Sequence, residues 1–180
     1  MKIFFDIDGV LRDTNGILIK KYRLPYPTSW YANEWDKLGL NIYDLVAIDY
    51  NVLFEANPTK YFKIILNYGK NNGGLEIWSH QPPSWRPHTK KWLNKNLQGI
   101  KYKLRFLTPK QKAYRLSKIK DGLLVDDFPL FSNYDKIILV DYPYNRNVKK
   151  GRRISSPKEL KDILNDKKRK FYSKNGLQNK

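Results

Sequence analysis

The chain has no cysteine, which excludes disulfide staples and thiolate-bound metals and is compatible with a reducing compartment. No apolar run approaches the roughly 20 residues needed to cross a bilayer. The N-terminus carries no secretory pattern, so a cytoplasmic chain with no membrane association is expected. Acidic residues are scarce: 17 Asp and Glu stand against 35 Lys and Arg, a net charge of +18. That field attracts polyanions and phosphorylated ligands. The same excess also fits a composition rich in Lys, Asn and Tyr throughout. No internal repeat is visible.

What is present suffices for a core. A length of 180 residues with 41% hydrophobic and 14% aromatic content suits one compact domain with a modest insertion. Short apolar runs predict strands over Lys2 to Asp6, Leu75 to Trp78, Leu104 to Leu107, Leu123 to Val125 and Lys136 to Val140. Helical patterns fall between them. Pro58-Thr59 opens one helix, the loop from Gln81 to Pro87 leads to another carrying Trp92 and Leu93, and Thr108-Pro109 and Ser156-Pro157 begin two more. This alternation predicts an α/β fold, a Rossmann-like parallel sheet of about five strands covered by helices on both faces.

Residues 14–57 break the pattern. Trp30, Trp35 and several tyrosines lie among prolines, with helical spacing over Ile42 to Phe54. This stretch is expected to be a small, mostly helical insertion after the first strand. Its aromatics suit a core of its own, and one of them can also stack on a ligand. The expected division is a core of residues 1–13 and 58–166, an insertion over 14–57 and a basic tail over 167–180.

Three blocks carry the chemistry: Phe5-Asp6-Ile7-Asp8-Gly9-Val10, Ile77-Trp78-Ser79 and Leu124-Val125-Asp126-Asp127. Each is an apolar run ending in an oxygen-bearing side chain, as expected where buried parallel strands open into a ligand crevice. Asp6 and Asp8, two apart on an extended chain, share a side. Phosphate monoester cleavage needs a nucleophile, an acid, a cation and donors for the phosphate oxygens. Asp6 suits the nucleophile and Asp8 the acid and base. Asp126 and Asp127, with Asp6 and Asp8, suit a hard ion such as Mg²⁺. Ser79, Gly9, His80 and a lysine are the candidate phosphate contacts. Lys112 fits best by its spacing to Asp126, with Lys110 as the alternative.

These blocks resemble the four motifs of the haloacid-dehalogenase-like (HAD) phosphohydrolase superfamily over residues 1 to about 150. The resemblance implies an aspartyl-phosphate on Asp6, acid/base work by Asp8, Mg²⁺ at the aspartates and a cap formed by the insertion. Within that superfamily the chain looks most similar to the 5'(3')-deoxyribonucleotidase group and its phage and bacterial relatives. Thr89-Lys90-Lys91-Trp92-Leu93, Asp126-Asp127-Phe128-Pro129 and Asp141-Tyr142-Pro143-Tyr144-Asn145-Arg146 carry that likeness. Arg12 departs from it, since a small or apolar residue is expected there. A phage-encoded chain of this kind would work in the host cytoplasm.

The leading expectation is a Mg²⁺-dependent phosphatase of nucleoside monophosphates. A second expectation keeps the chemistry but takes terminal phosphates of DNA or RNA, as the charge, Arg152-Arg153 and the basic tail suggest. A third is a nucleic-acid-binding protein with a vestigial site.

Overall fold

The computed structural model describes residues 1–30, 34–131 and 134–165. Strands β1 (Lys2–Phe5), β2 (Leu75–Ser79), β3 (Tyr102–Phe106), β4 (Gly122–Asp126), β5 (Ile137–Val140) and β6 (Arg152–Ile154) form one sheet in the order β3-β2-β1-β4-β5-β6. Every pairing is parallel. The five strands expected from apolar runs are all present. The sixth is Arg-Arg-Ile, a short edge strand whose first residue is exposed, so it lacks the apolar run that marks the others. The Leu104 strand begins two residues earlier than expected, because the half-exposed edge strand Tyr-Lys-Leu-Arg-Phe alternates faces rather than forming a continuous apolar run.

Side chains on β1 alternate between the two cores. Ile3 and Phe5 join one apolar cluster with Ile77, Val125, Trp92 and Leu160, while Phe4 joins another with Trp78, Leu116 and Leu124. The first face is covered by α5 (Phe62–Asn71), α6 (Arg86–Asn96) and α8 (Pro157–Asn165), the second by α7 (Pro109–Ser117). Thr108 caps α7 in a reciprocal capping box with Gln111, which fixes where that helix begins.

Between β1 and α5, among the described residues, lie four short helices: α1 (Thr14–Tyr22), α2 (Glu34–Lys37), α3 (Ile42–Ile48) and α4 (Asn51–Glu55). The single helical stretch expected over Ile42 to Phe54 is split, because Asp49, the residue that ends α3, is extended, with its side chain accepting the Asn51 N–H at 2.9 Å. Leu18, Trp35, Leu45, Val46, Val52 and Leu53 gather in a third apolar cluster, joined by Trp85 from the loop before α6. Trp92 ties the end of this region to the sheet layer by donating its indole N–H to the Ala56 carbonyl at 2.7 Å. Among the described residues no helix is long and apolar enough to cross a membrane. The basic tail expected over 167–180 lies outside the described residues.

Candidate active site

The strand order reverses between β2 and β4, on either side of β1, and crevices for ligands form at the carboxyl ends of strands at such a point. Phe5 stands opposite Val125 on β4 and Ile77 on β2, so the residues that follow, Asp6 and Asp126, emerge side by side with Ser79 on the flank. The Asp6 backbone N–H donates to the Val125 carbonyl at 2.9 Å, extending this register one residue past the strand. Parallel pairing, rather than any local motif, brings together carboxylates 120 positions apart.

Asp6, Asp126 and Asp127 each present an oxygen within 4.8 Å of the others. Lys112, on α7 and 2% exposed, places its ammonium 3.0 Å from Asp6 Oδ1 and 2.8 Å from Asp126 Oδ2. Lys110, the alternative, is exposed on the same helix. Asp126 also accepts the Phe128 backbone N–H at 2.9 Å. Burial pushes the Asp6 carboxyl up to about 7, with Lys112 opposing this and Asp126 and Asp8 adding to it. Asp127 is raised well above the carboxylate range, first by burial, then by Asp126 and Asp6. Burial alone would lower the Lys112 ammonium, but the two carboxylates outweigh it and hold it above its ordinary value.

One lysine among three buried carboxylates leaves the cluster short of positive charge. An all-oxygen donor set of this kind fits a hard divalent cation such as Mg²⁺. Asp8, placed with these ligands by the sequence reading, does not join them. Its Oδ1 accepts from Arg12 and Thr14 and its Oδ2 from Gln81, so both oxygens are already engaged outside the Asp6, Asp126 and Asp127 group. Asp8 still lines the same cavity, with its side chain a quarter exposed.

Gly9 has a φ of 75° and sits under Asp127. A Cβ there would come within 2.6 Å of the Asp127 Cγ, so both conformation and close approach require glycine. Ser79 is 1% exposed, and its hydroxyl has no partner among the described residues, which suits a donor awaiting an anionic oxygen. His80 is exposed on the rim, its imidazole held below its ordinary value by partial burial and then by the positive Lys112 and Arg86.

Four residues were not identified from sequence as part of this arrangement. Tyr144 donates its hydroxyl to Asp127, and Tyr142 donates to the Gly9 carbonyl at 2.8 Å, so the segment after β5 braces both sides of the Gly9 turn. Asn145, fully buried, donates to the Asp127 and Val140 carbonyls at 2.9 and 2.8 Å. Arg12, the residue at odds with the family pattern, is also fully buried and bonded to Asp8. The Asp-Tyr-Pro-Tyr-Asn-Arg run was the signal for the first three, but a sequence does not reveal which hydroxyl meets which carboxylate. Arg153, whose charge suggested a nucleic-acid contact, is turned inward onto Asp141 and Asn145 at 2.9 and 2.6 Å.

A cavity of about 480 Å³ rises from the carboxylates to the helices of the 14–55 region. Aromatic side chains dominate its upper walls: Trp30, Trp35, Tyr43, Trp85 and Phe128. Trp30 packs edge-on against Phe128 with ring centroids 5.1 Å apart and lies 5.7 Å from Tyr144, so the aromatic wall reaches down to the carboxylate floor.

No protein-family model matches the sequence, and no curated protein sequence matches it. Solved structures do. A haloacid dehalogenase-like family hydrolase from Streptococcus pneumoniae superposes with a TM-score of 0.55 at 14% identity, over 91% of this chain and 97% of that one. A dehalogenase solved with an intermediate complex gives 0.55 at 12% identity, over 91% and 96%. The HAD-hydrolase YfnB from Bacillus subtilis, solved bound to magnesium, gives 0.50 at 11% identity, over 91% and 98%. Identities this low establish architecture alone, and that architecture is the haloacid dehalogenase-like hydrolase fold.

Proposed function

We propose that the chain is a Mg²⁺-dependent phosphomonoesterase that cleaves nucleoside monophosphates through an aspartyl-phosphate on Asp6. The observation that carries this reading is a buried lysine clamped between Asp6 and Asp126 on the floor of an aromatic-walled cavity, with the unpartnered Ser79 hydroxyl at the neighbouring strand end. Donors for phosphate oxygens, a carboxylate nucleophile and apolar surfaces for a flat ring converge on one space. Fold likeness alone would not carry it, because one fold serves many reactions.

In this reading Asp6, Asp126 and Asp127 would hold the cation, which when bound would supply positive charge to offset the phosphoryl oxygens as the carboxylate approaches. Ser79 and Lys112 orient those oxygens. The free Asp6 oxygen attacks phosphorus, the ester P–O bond breaks, and the departing oxygen takes a proton from Asp8. Asp8 then accepts a proton from water as the water oxygen attacks phosphorus, freeing Asp6 and releasing inorganic phosphate. Residues 14–57 serve as a cap that covers the substrate and stacks its base on Trp30 or a neighbouring ring.

The test is phosphate release with Mg²⁺ across ribo- and deoxyribonucleotides, sugar phosphates and 5'-phosphorylated oligonucleotides. Nucleoside monophosphates are expected to be the best substrates, with release abolished by chelation and restored by Mg²⁺. Faster release from oligonucleotides, lost steeply between low and moderate salt, would move the substrate to polynucleotide ends. Release indifferent to chelation would remove the metal.

A further inference from the structure

Arg12 is an anomaly in both energy and sequence. A fully buried guanidinium is costly unless its donors are met. Here four of the five N–H groups are engaged. Nε and Nη2 donate to Asp8 Oδ1 at 3.0 and 2.8 Å, with Nε shared to the Thr14 hydroxyl at 3.2 Å. Nη1 donates to the Leu53 carbonyl at 2.9 Å and the Thr89 hydroxyl at 3.1 Å. The plane lies 5.8 Å from the Trp92 ring. Asp8 is its one carboxylate partner among the described ion pairs. A guanidinium fixed by three neutral anchors from α4, α1 and α6 leaves Asp8 little freedom to swing.

The two oxygens of Asp8 are treated differently. Oδ1 takes Arg12 and Thr14, whereas Oδ2, among the described residues, takes only the Gln81 side-chain amide at 2.6 Å. Gln81 is 3% exposed and its Oε1 has no partner among the described residues. One amide contact on Oδ2 thus stands against three donor contacts on Oδ1 among the described residues.

We propose that Arg12 is a positioning residue for Asp8: it pins Oδ1 so that Oδ2 is the oxygen left to face the substrate's leaving oxygen. This assignment rests on the phosphatase reading above. It also makes Asp8 geometry depend on the junction between α4 and α6, since the Leu53 carbonyl and Thr89 hold the guanidinium in place.

The experiment compares single-turnover release of leaving group from a nucleoside monophosphate and from p-nitrophenyl phosphate in wild type, Arg12→Lys and Thr89→Val. An alkyl leaving group needs the proton from Asp8; p-nitrophenolate does not. Arg12→Lys keeps the charge but cannot span the three anchors. It is expected to slow nucleoside release by about 10- to 100-fold, slow p-nitrophenol release by less than about threefold, and leave substrate KM nearly unchanged. Thr89→Val, which loosens the guanidinium without touching Asp8, is expected to show the same leaving-group dependence at smaller size, and it decides the matter if the lysine variant melts early. Equal losses on both substrates, or no loss on either in both variants, would overturn the assignment. A wild-type chain that releases neither product would bring down the phosphatase reading itself, and this assignment with it.

Discussion

The floor and the roof of the cavity are held by different forces. On the floor, Asp6, Ser79 and Asp126 take their places from strand register, and each carboxylate is then locked by a named donor: Lys112, the Phe128 N–H or Tyr144. In the roof, Trp35 sits in an apolar cluster of short helices and Trp30 leans on Phe128. The floor carboxylates are thus fixed mainly by hydrogen bonds and ion pairs, while the roof, where the Trp35 indole N–H also donates to the Pro25 carbonyl at 2.7 Å, is fixed mainly by packing that tolerates repacking. The difference suggests a division of labour in which the floor sets the reaction and the roof sets what is brought to it.

Substitutions can break that division, and the largest effect is expected at the proposed nucleophile. Asp6→Asn should lower turnover by about four orders of magnitude or more on every substrate, with a melting temperature no lower than wild type because it removes a buried charge; steady-state phosphate release and a thermal melt check both. Ser79→Ala should cost about 100-fold in kcat/KM, the scale of losing one oxyanion donor, again on all substrates alike. Tyr144→Phe should raise the Mg²⁺ concentration needed for half-maximal rate by about tenfold, since Asp127 loses the hydroxyl that orients it. A roof substitution should behave differently. Trp30→Ala is expected to raise KM for a nucleotide by about tenfold, the scale of one lost base stack, and to leave p-nitrophenyl phosphate hydrolysis unchanged. A Trp30→Ala loss of equal size on both substrates would dissolve the distinction between floor and roof.

The smallest effect is a pH dependence of stability. Asp6 has a folded-state value of about 7 against an ordinary 3.8, so between those values the native chain holds a proton that the unfolded chain has released. Stability from this group therefore falls as pH rises from about 4 to about 7 and is lowest above that window. With chelator present, the melting temperature should decline across that range. Added Mg²⁺ should raise it most at the alkaline end, where the carboxylates are ionised. Thermal melts at pH 5 and 7.5, with and without Mg²⁺, read this directly.

Much of the floor was legible in sequence because the signals were local. Apolar runs ending in Asp or Ser mark strand ends at a crevice, and the order of those runs gave the parallel α/β sheet. Lys112 could be chosen over Lys110 by spacing, and α7 does turn it inward. What was not legible depends on contacts between distant segments. Asp8 and Asp6 share a side of an extended chain, but the chain leaves the strand at once: Leu11 and Arg12 donate back to the Ile7 carbonyl at 2.8 Å, and Asp8 is carried to Arg12 instead of to the other carboxylates. The burial of Arg12 depends on Leu53 and Thr89, 41 and 77 positions away. The same holds for β6, which becomes a strand because Val140 and Leu139 offer an open edge, not because Arg-Arg-Ile favours one. The break between α3 and α4 lies at the extended backbone of Asp49, which helical spacing does not announce.

The most direct measurement is to trap the reaction on the protein. Wild-type chain is mixed with Mg²⁺ and a nucleoside monophosphate carrying radioactive phosphorus, quenched in acid within the first turnover and digested, and the labelled peptide is sequenced. The expected result is acid-stable, alkali-labile phosphate on the peptide spanning residues 2–12, at Asp6, and none in Asp6→Asn. Phosphate release at full rate with no label on the chain, or label on another residue, would contradict it.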